Sequence, residues 1–302
     1  MSEQSRVPAA SGALPGAQTP LPEPTAHIHH HTIRRNGLLL GVCTITPART
    51  SRPPMIMTLG ILARLDPFEV QRFRLLADLL ERQIIALETP GWMRPGQRLP
   101  ASARQALTHG DFTEMAELMV AALDEAVPGL TEQAVSLLGY SLGASTGSAI
   151  AATLAARGTT LERITLVEPV ATGRQSLVGL GLRNTADGVR NRRYLKESKQ
   201  VAWAARSTPV RMVRRGWVDL GLFTWALSRG GIEKSLNSID TSVDVKIITG
   251  ERSRMAGGRA TEELVEQLRS TGRSVEWDTI ADSHHGLWLS LPRVAEVGRL
   301  LS

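Results

Sequence analysis

Residues 135–147 read V-S-L-L-G-Y-S-L-G-A-S-T-G. An apolar run of strand length meets Gly139, reaches Ser141, passes Gly143 and continues in small residues. This is the pattern of a strand turning sharply into a helix, with the serine strained outward and the glycines relieving close contacts. The helix N-terminus adds a positive partial charge beside the hydroxyl, so Ser141 is a candidate nucleophile. It then needs a base within reach and a group that orients the base.

Outward from this turn, short β-rich runs alternate with helical patterns. H-I-H-H-H-T-I from His27 and G-L-L-L-G-V-C-T-I-T from Gly37 predict two strands in a hairpin turning at Asn36-Gly37. P-P-M-I-M-T-L-G-I from Pro53 is apolar on both faces, as a central parallel strand should be. Asp66-Pro67-Phe68-Glu69 predicts a helix start in which Asp caps, Pro fits the first turn and Glu reaches back. That helix is expected to run to about Arg82, ahead of a strand in Q-I-I-A-L-E. Asp111 to Glu114 opens a second helix in the same way, with Phe112, Met115, Leu118, Met119, Ala122 and Leu123 as its apolar stripe. Ser145 to Ala156 reads as a helix ended by Gly158. Strands follow in I-T-L-V-E-P-V, V-D-V-K-I-I-T-G and S-V-E-W-D-T-I, with helices near 261–270 and after Pro292. The alternation predicts an α/β fold, a mostly parallel central sheet with helices on both faces.

The composition is that of a globular chain: 302 residues, 42% hydrophobic, enough for a sizeable core. The single cysteine, Cys43, sits in an apolar run and reads as a small buried hydrophobe; with no internal disulfide to form, it fits a reducing compartment. No charged-then-apolar leader opens the chain, and no apolar run approaches the ~20 residues that span a bilayer, so a cytoplasmic protein is expected. Residues 1–25 are rich in Pro, Ala, Ser and Gly and read as a disordered tail. His27, His29 and His31 share one face of the first strand without a nearby carboxylate or cysteine, and read as a solvated edge instead of a metal site.

The motifs in order resemble the α/β-hydrolase family over roughly residues 27–302. Q-I-I-A-L-E-T-P-G-W is similar to its fourth-strand segment, G-Y-S-L-G to its nucleophile elbow, and D-S-H-H-G-L-W-L-S-L-P to its catalytic-histidine loop. In that family the histidine commonly stands seven positions before a proline that opens the last helix. Counting back from Pro292 selects His285, not His284, as the implied general base. The acid often stands three residues past a glycine in the loop after the seventh strand. Here that loop is I-T-G-E-R-S-R-M, and the position holds Ser253, which cannot supply a negative charge. The candidates are Glu168, at the end of the sixth strand, and Glu251, directly after Gly250. Glu168 is favoured, because sites in such sheets are built at the carboxyl ends of strands. The resemblance implies oxyanion donors at the main-chain N–H groups of Leu142 and Ile61, although Leu59-Gly60 replaces the usual His-Gly pair.

The resemblance also divides the chain into a core at 26–171 and 241–302 and a helical cap at 172–240. That cap segment holds 13 Arg or Lys against 5 Asp or Glu, so the net charge of +6 belongs to it. Arg190, Arg192, Arg193, Lys196, Lys199, Arg211, Arg214 and Arg215 are placed to draw an anionic substrate, a carrier or a membrane surface. Trp217, Phe223 and Trp225 are candidates for an apolar acyl pocket over the serine. No motif accompanies the charge that would point to specific nucleic-acid binding. A serine at the elbow implies ester or thioester hydrolysis through an acyl-enzyme, with no metal or organic cofactor; the family's epoxide hydrolases carry an Asp there. The alternative is a catalytically weak binding or regulatory module that kept the fold.

Overall fold

The computed structural model describes residues 20–91, 97–204 and 217–302. Among them, eight strands form one sheet: β1 (His27–Arg35), β2 (Leu38–Thr46), β3 (Met55–Thr58), β4 (Ile84–Leu87), β5 (Val135–Tyr140), β6 (Leu161–Val167), β7 (Asp244–Gly250) and β8 (Val275–Ile280). Their order is β1-β2-β4-β3-β5-β6-β7-β8. β2 is antiparallel to both neighbours, and every later pairing is parallel. Asn36 (φ 49°) and Gly37 (φ 75°) supply the two left-handed residues of the hairpin turn, which sets the register Arg35↔Leu38.

The central strands are apolar on both sides because both sides are covered. Ile56, Ile85 and Leu137 enter one core, which packs on α3 (Thr113–Ala126), α4 (Leu142–Ala156) and α9 (Arg259–Ser270). Their neighbours Met55, Met57, Ile84, Ala86 and Leu138 enter the other, which packs on α1 (Pro67–Leu80) and α10 (Leu291–Leu301). That division is the period of two of an extended chain. Cys43 is fully buried in the second core, and desolvation pushes its thiol up to about 12. β1 forms the sheet edge, where the rings of His29 and His31 meet edge-on with centroids 4.3 Å apart.

Three local expectations are revised. Asp66 does cap α1, accepting from the N–H of Glu69 at 3.0 Å, but Glu69 does not reach back. Its buried carboxylate accepts instead from the indole N–H of Trp288 at 3.0 Å. α1 stops at Leu80 because Glu81 takes a left-handed conformation. α4 begins at Leu142, directly after the candidate nucleophile, rather than at Ser145.

Residues 1–19 of the expected tail lie outside the described residues. Residues 21–25 are tied down rather than disordered: Thr25 N–H donates to Asp78 at 2.6 Å, and Trp203 Nε1 donates to the Leu21 carbonyl at 3.1 Å. Arg74 adds hydrogen bonds to the carbonyls of Pro24 and Ala26. Between β6 and β7 lie four helices of the described residues: α5 (Leu177–Gly188), α6 (Asn191–Lys199), α7 (Trp217–Ser228) and α8 (Ile232–Asn237). The remaining helix, α2 (Ala101–Thr108), lies between β4 and α3.

Candidate active site

The turn from β5 into α4 is forced by close backbone packing. A Cβ on Gly139 would stand 2.3 Å from the Gly143 carbonyl oxygen, and one on Gly143 only 2.2 Å from that of Thr58. No side chain fits at either position, and the hydroxyl of Thr58 closes the contact by donating to the Gly143 carbonyl at 2.6 Å. The compression leaves Ser141 at φ 57° and ψ −117°. A non-glycine residue is held there only when its surroundings over-determine it. The strain turns the hydroxyl off the end of the strand, at the mouth of α4.

Ser141 Oγ lies 2.9 Å from Nε2 of His285. The other ring nitrogen, Nδ1, lies 2.8 Å from Oε2 of Glu168. Glu168 follows β6 directly, is fully buried and has φ 53°. Its own N–H donates to the Ile248 carbonyl on the neighbouring strand at 2.8 Å, which carries the β6–β7 pairing through the turn. The carboxylate accepts two further hydrogen bonds, one from the N–H of Gly250 and one from the hydroxyl of Ser253 at 2.5 Å. Glu251 stands elsewhere: it is exposed and its carboxylate accepts from the N–H of Asp282 at 2.9 Å.

The loop that carries His285 is anchored on three sides. Tyr140, the residue before the serine, donates its hydroxyl to the His285 carbonyl at 2.9 Å and stacks against both His285 and Trp288. Burial, then the Glu168 charge, pushes the Tyr140 phenol well above its ordinary range, so it remains a donor. From below, the buried Arg72 of α1 donates to the carbonyls of Trp288 (2.6 Å) and Leu289 (2.8 Å). Desolvation draws that guanidinium down to about 10, and desolvation likewise raises its neighbour Glu69. From above, α6 supplies the Tyr194 hydroxyl, which accepts from the N–H of His284 at 2.7 Å, and the Ser198 hydroxyl, which donates to Leu289 at 2.6 Å.

Ser141 and His285 open into a cavity of about 250 Å³. Leu142 is the first residue of α4, and Ile61 lines the same cavity. Gly60 brings the loop after β3 against the elbow: a Cβ there would stand 3.0 Å from the Tyr140 ring and 3.5 Å from Ser141 Cβ. Of the aromatic residues expected to form an acyl pocket, Phe223 and Trp225 do not line this cavity. Phe223 is fully buried against Phe112 in the core, where its large apolar ring is drawn. Trp225 donates its indole N–H to the Thr108 carbonyl at 2.9 Å, with the Arg229 guanidinium over its ring. The side chain of Trp217 lies outside the described residues, as do Arg211, Arg214 and Arg215. Of the basic residues singled out in the insertion, Arg190, Arg192, Arg193, Lys196 and Lys199 do not line the cavity. Arg193 pairs outward with Asp282 (3.0 Å) and Glu197 (3.1 Å).

Sequence reasoning missed Ser253, Tyr140, Arg72 and Trp288 as parts of this site. A hydroxyl at the Ser253 offset cannot be the acid but can hold one that comes from the neighbouring strand. Chemically, a hydroxyl facing an imidazole whose far nitrogen meets a buried carboxylate can be deprotonated as it attacks an electrophile. Among the described residues, no group of three or more His, Cys, Asp or Glu is arranged to hold a metal ion, and no helix is long and apolar enough to cross a membrane.

No protein-family model and no curated protein matches the chain. Solved structures do. A thioesterase domain from the curacin biosynthetic pathway is 15% identical, with 91% of this chain and 99% of that one covered at a TM-score of 0.57. A Pyrobaculum calidifontis esterase is 14% identical over 92% and 84%, at 0.54. A laboratory-evolved variant of potato epoxide hydrolase is 12% identical over 91% and 98%, at 0.56. The strand order, the single reversed strand and these likenesses give one conclusion: the chain has the α/β-hydrolase fold.

Proposed function

We propose that the chain is a serine hydrolase that cleaves an ester or thioester through an acyl-enzyme. Ser141 Oγ attacks the acyl carbon while Nε2 of His285 takes its proton, and the resulting imidazolium returns that proton to the leaving group. Water then attacks the acyl-enzyme with the same base, releasing the acid and restoring Ser141. Glu168 holds His285 in the tautomer whose Nε2 is free to accept, and stabilises the imidazolium. The N–H groups of Leu142 and Ile61 receive the oxyanion. The inserted helices α5 and α6, which line the cavity through Asn184, Asp187 and Asn191, act as part of a cap.

The observation that carries this reading is the continuous relay from Ser141 Oγ to His285 (2.9 Å) and from His285 to the fully buried Glu168 (2.8 Å), with Ser141 and His285 facing the cavity. Esterases and a thioesterase among the structural neighbours support the reaction class. Epoxide opening is disfavoured, since the elbow carries Ser141 where the epoxide hydrolases of this fold carry Asp.

Labelling with a fluorophosphonate probe tests the reading without a natural substrate. The wild-type chain is expected to label, and Ser141→Ala and His285→Ala are expected to lose labelling while remaining folded. A folded wild type that does not label would overturn the proposal and leave the fold as a binding module.

A further inference from the structure

The cavity at Ser141 is walled on one side by the inserted helices α5 and α6, through Asn184, Asp187 and Asn191. Asp187 is 2% exposed, yet only half of its carboxylate is satisfied. Oδ2 accepts from the main-chain N–H of Arg254 at 3.1 Å, which fixes the side chain, and Oδ1 has no hydrogen-bond partner. The imidazole of His284 stands 3.9 Å from Oδ1, but its Nδ1 is engaged with the Arg252 carbonyl at 2.9 Å. One turn on, Oδ1 of Asn191 is likewise buried without a partner. It is seated beside the base, so close to Gly286 that a Cβ there would stand 2.1 Å away.

A buried acceptor without a donor keeps its full desolvation cost, and native proteins leave few such atoms unmatched. Two of them on the wall of one cavity, both close to His285 in the fold, mark a place where the missing donors arrive with a ligand. The charge around them agrees. Asp66 also lines the cavity, and Arg64, its one Lys or Arg among the described residues, lies 3.8 Å from Glu88. Such a wall repels an anionic substrate, and a plain alkyl chain brings no donor to either oxygen.

We infer that the substrate carries a hydrogen-bond donor, a hydroxyl or an ammonium group, which bonds to Asp187 and Asn191 while its acyl carbon meets Ser141. The inference rests on the serine-hydrolase reading and narrows it to polar, donor-bearing esters. It differs from the anionic substrate expected from the basic insertion, because among the described residues Arg190, Arg192, Arg193, Lys196 and Lys199 do not line the cavity, whereas Asp66 and Asp187 do.

The test compares kcat/KM of the purified chain for ethyl butyrate, ethyl 3-hydroxybutyrate, 2-hydroxyethyl butyrate, ethyl 3-aminobutyrate and monoethyl succinate. The hydroxyl and amino groups are placed on either side of the ester, so the arms separate acyl-side from alcohol-side donors and neutral from cationic ones. At least one donor-bearing ester is expected to exceed ethyl butyrate by about 10–100-fold, with the succinate slowest. Asp187→Leu and Asn191→Ala are expected to pull that ratio toward one; the second variant removes no partner from a main-chain N–H and guards against misfolding of the first. Equal rates for ethyl butyrate and every donor-bearing ester, or a ratio that survives in both variants, would overturn the inference. Turnover of none of the esters by a chain whose Ser141 still labels would also overturn it while sparing the nucleophile. Absence of labelling would remove the serine-hydrolase reading itself, and this inference with it.

Discussion

The hydroxyl of Ser253 donates to Oε2 of Glu168 at 2.5 Å, on the same oxygen that faces His285 Nδ1. Ser253 stands three residues past the glycine that ends β7, and Glu168 directly follows β6. A carboxylate delivered from one strand is thus held by a hydroxyl from the loop of the next. The loop after β7 still meets the imidazole, through a hydrogen bond to the acid rather than through an acid of its own.

Ser253→Ala is expected to lower kcat/KM by about threefold to tenfold at neutral pH, since a hydrogen bond to a charged group is lost. Ser253→Thr, which keeps the hydroxyl, should restore the rate. An unchanged kcat/KM in the alanine variant would reduce Ser253 to packing.

Glu168→Gln is expected to lower kcat by roughly 10³–10⁴-fold with little change in fold, because a neutral amide neither fixes the tautomer nor stabilises the imidazolium. Glu251→Gln should fall within about twofold of wild type, its carboxylate being engaged by the Asp282 N–H on the surface. Steady-state kinetics on one aryl ester would separate the two carboxylates.

Arg72→Met should destabilise the chain by about 3 kcal/mol in urea unfolding. It removes the donors to the Phe68, Trp288 and Leu289 carbonyls and leaves Glu69 buried without its neighbouring cation. Activity should fall further than stability does, because the same donors pin the turn that begins at His285.

The Glu69 carboxyl is raised, chiefly by desolvation, so folding favours its protonated form. Its contribution to stability is therefore fully present below the ordinary carboxylate range and diminishes as pH rises through the raised value. Glu69→Gln, which stays neutral and can still accept from Trp288, should gain stability relative to wild type on going from pH 4 to pH 8. Urea unfolding at the two pH values reads the sign; a relative loss at pH 8 would mean that pairing with Arg72 outweighs burial.

Gly143→Ala should cost about 3 kcal/mol, or abolish soluble expression, since its Cβ would stand 2.2 Å from the Thr58 carbonyl oxygen and neither backbone can yield without opening the β3–β5 pairing. Circular dichroism melting checks this against Gly158→Ala, where nothing lies within 4 Å of the added atom and only the positive φ is strained.

The sequence by itself determined what depends on near neighbours. Periodicity separated strands from helices, Asn36-Gly37 specified the hairpin, Asp66 specified the start of α1, and the glycines around Ser141 specified the turn, because each is a steric or hydrogen-bonding requirement met within a few residues. Contacts between residues far apart in the chain were decided only by the tertiary structure. Glu168 and His285 are 117 positions apart, so whether Glu168 or Glu251 reaches the imidazole follows from strand order and from the φ of Glu168, neither of which leaves a local mark. That Phe223 is buried in the core while Trp225 stays at the surface was equally invisible, since an aromatic residue among aliphatic ones reads the same whether it closes a pocket, fills a core or lies on the outside. The placing of charge was illegible for a related reason: counting cations along a segment gives their number, while the field inside a cavity depends on which side chains fold inward, and among the described residues of 172–240 the polar ones that line it are Asn184, Asp187 and Asn191.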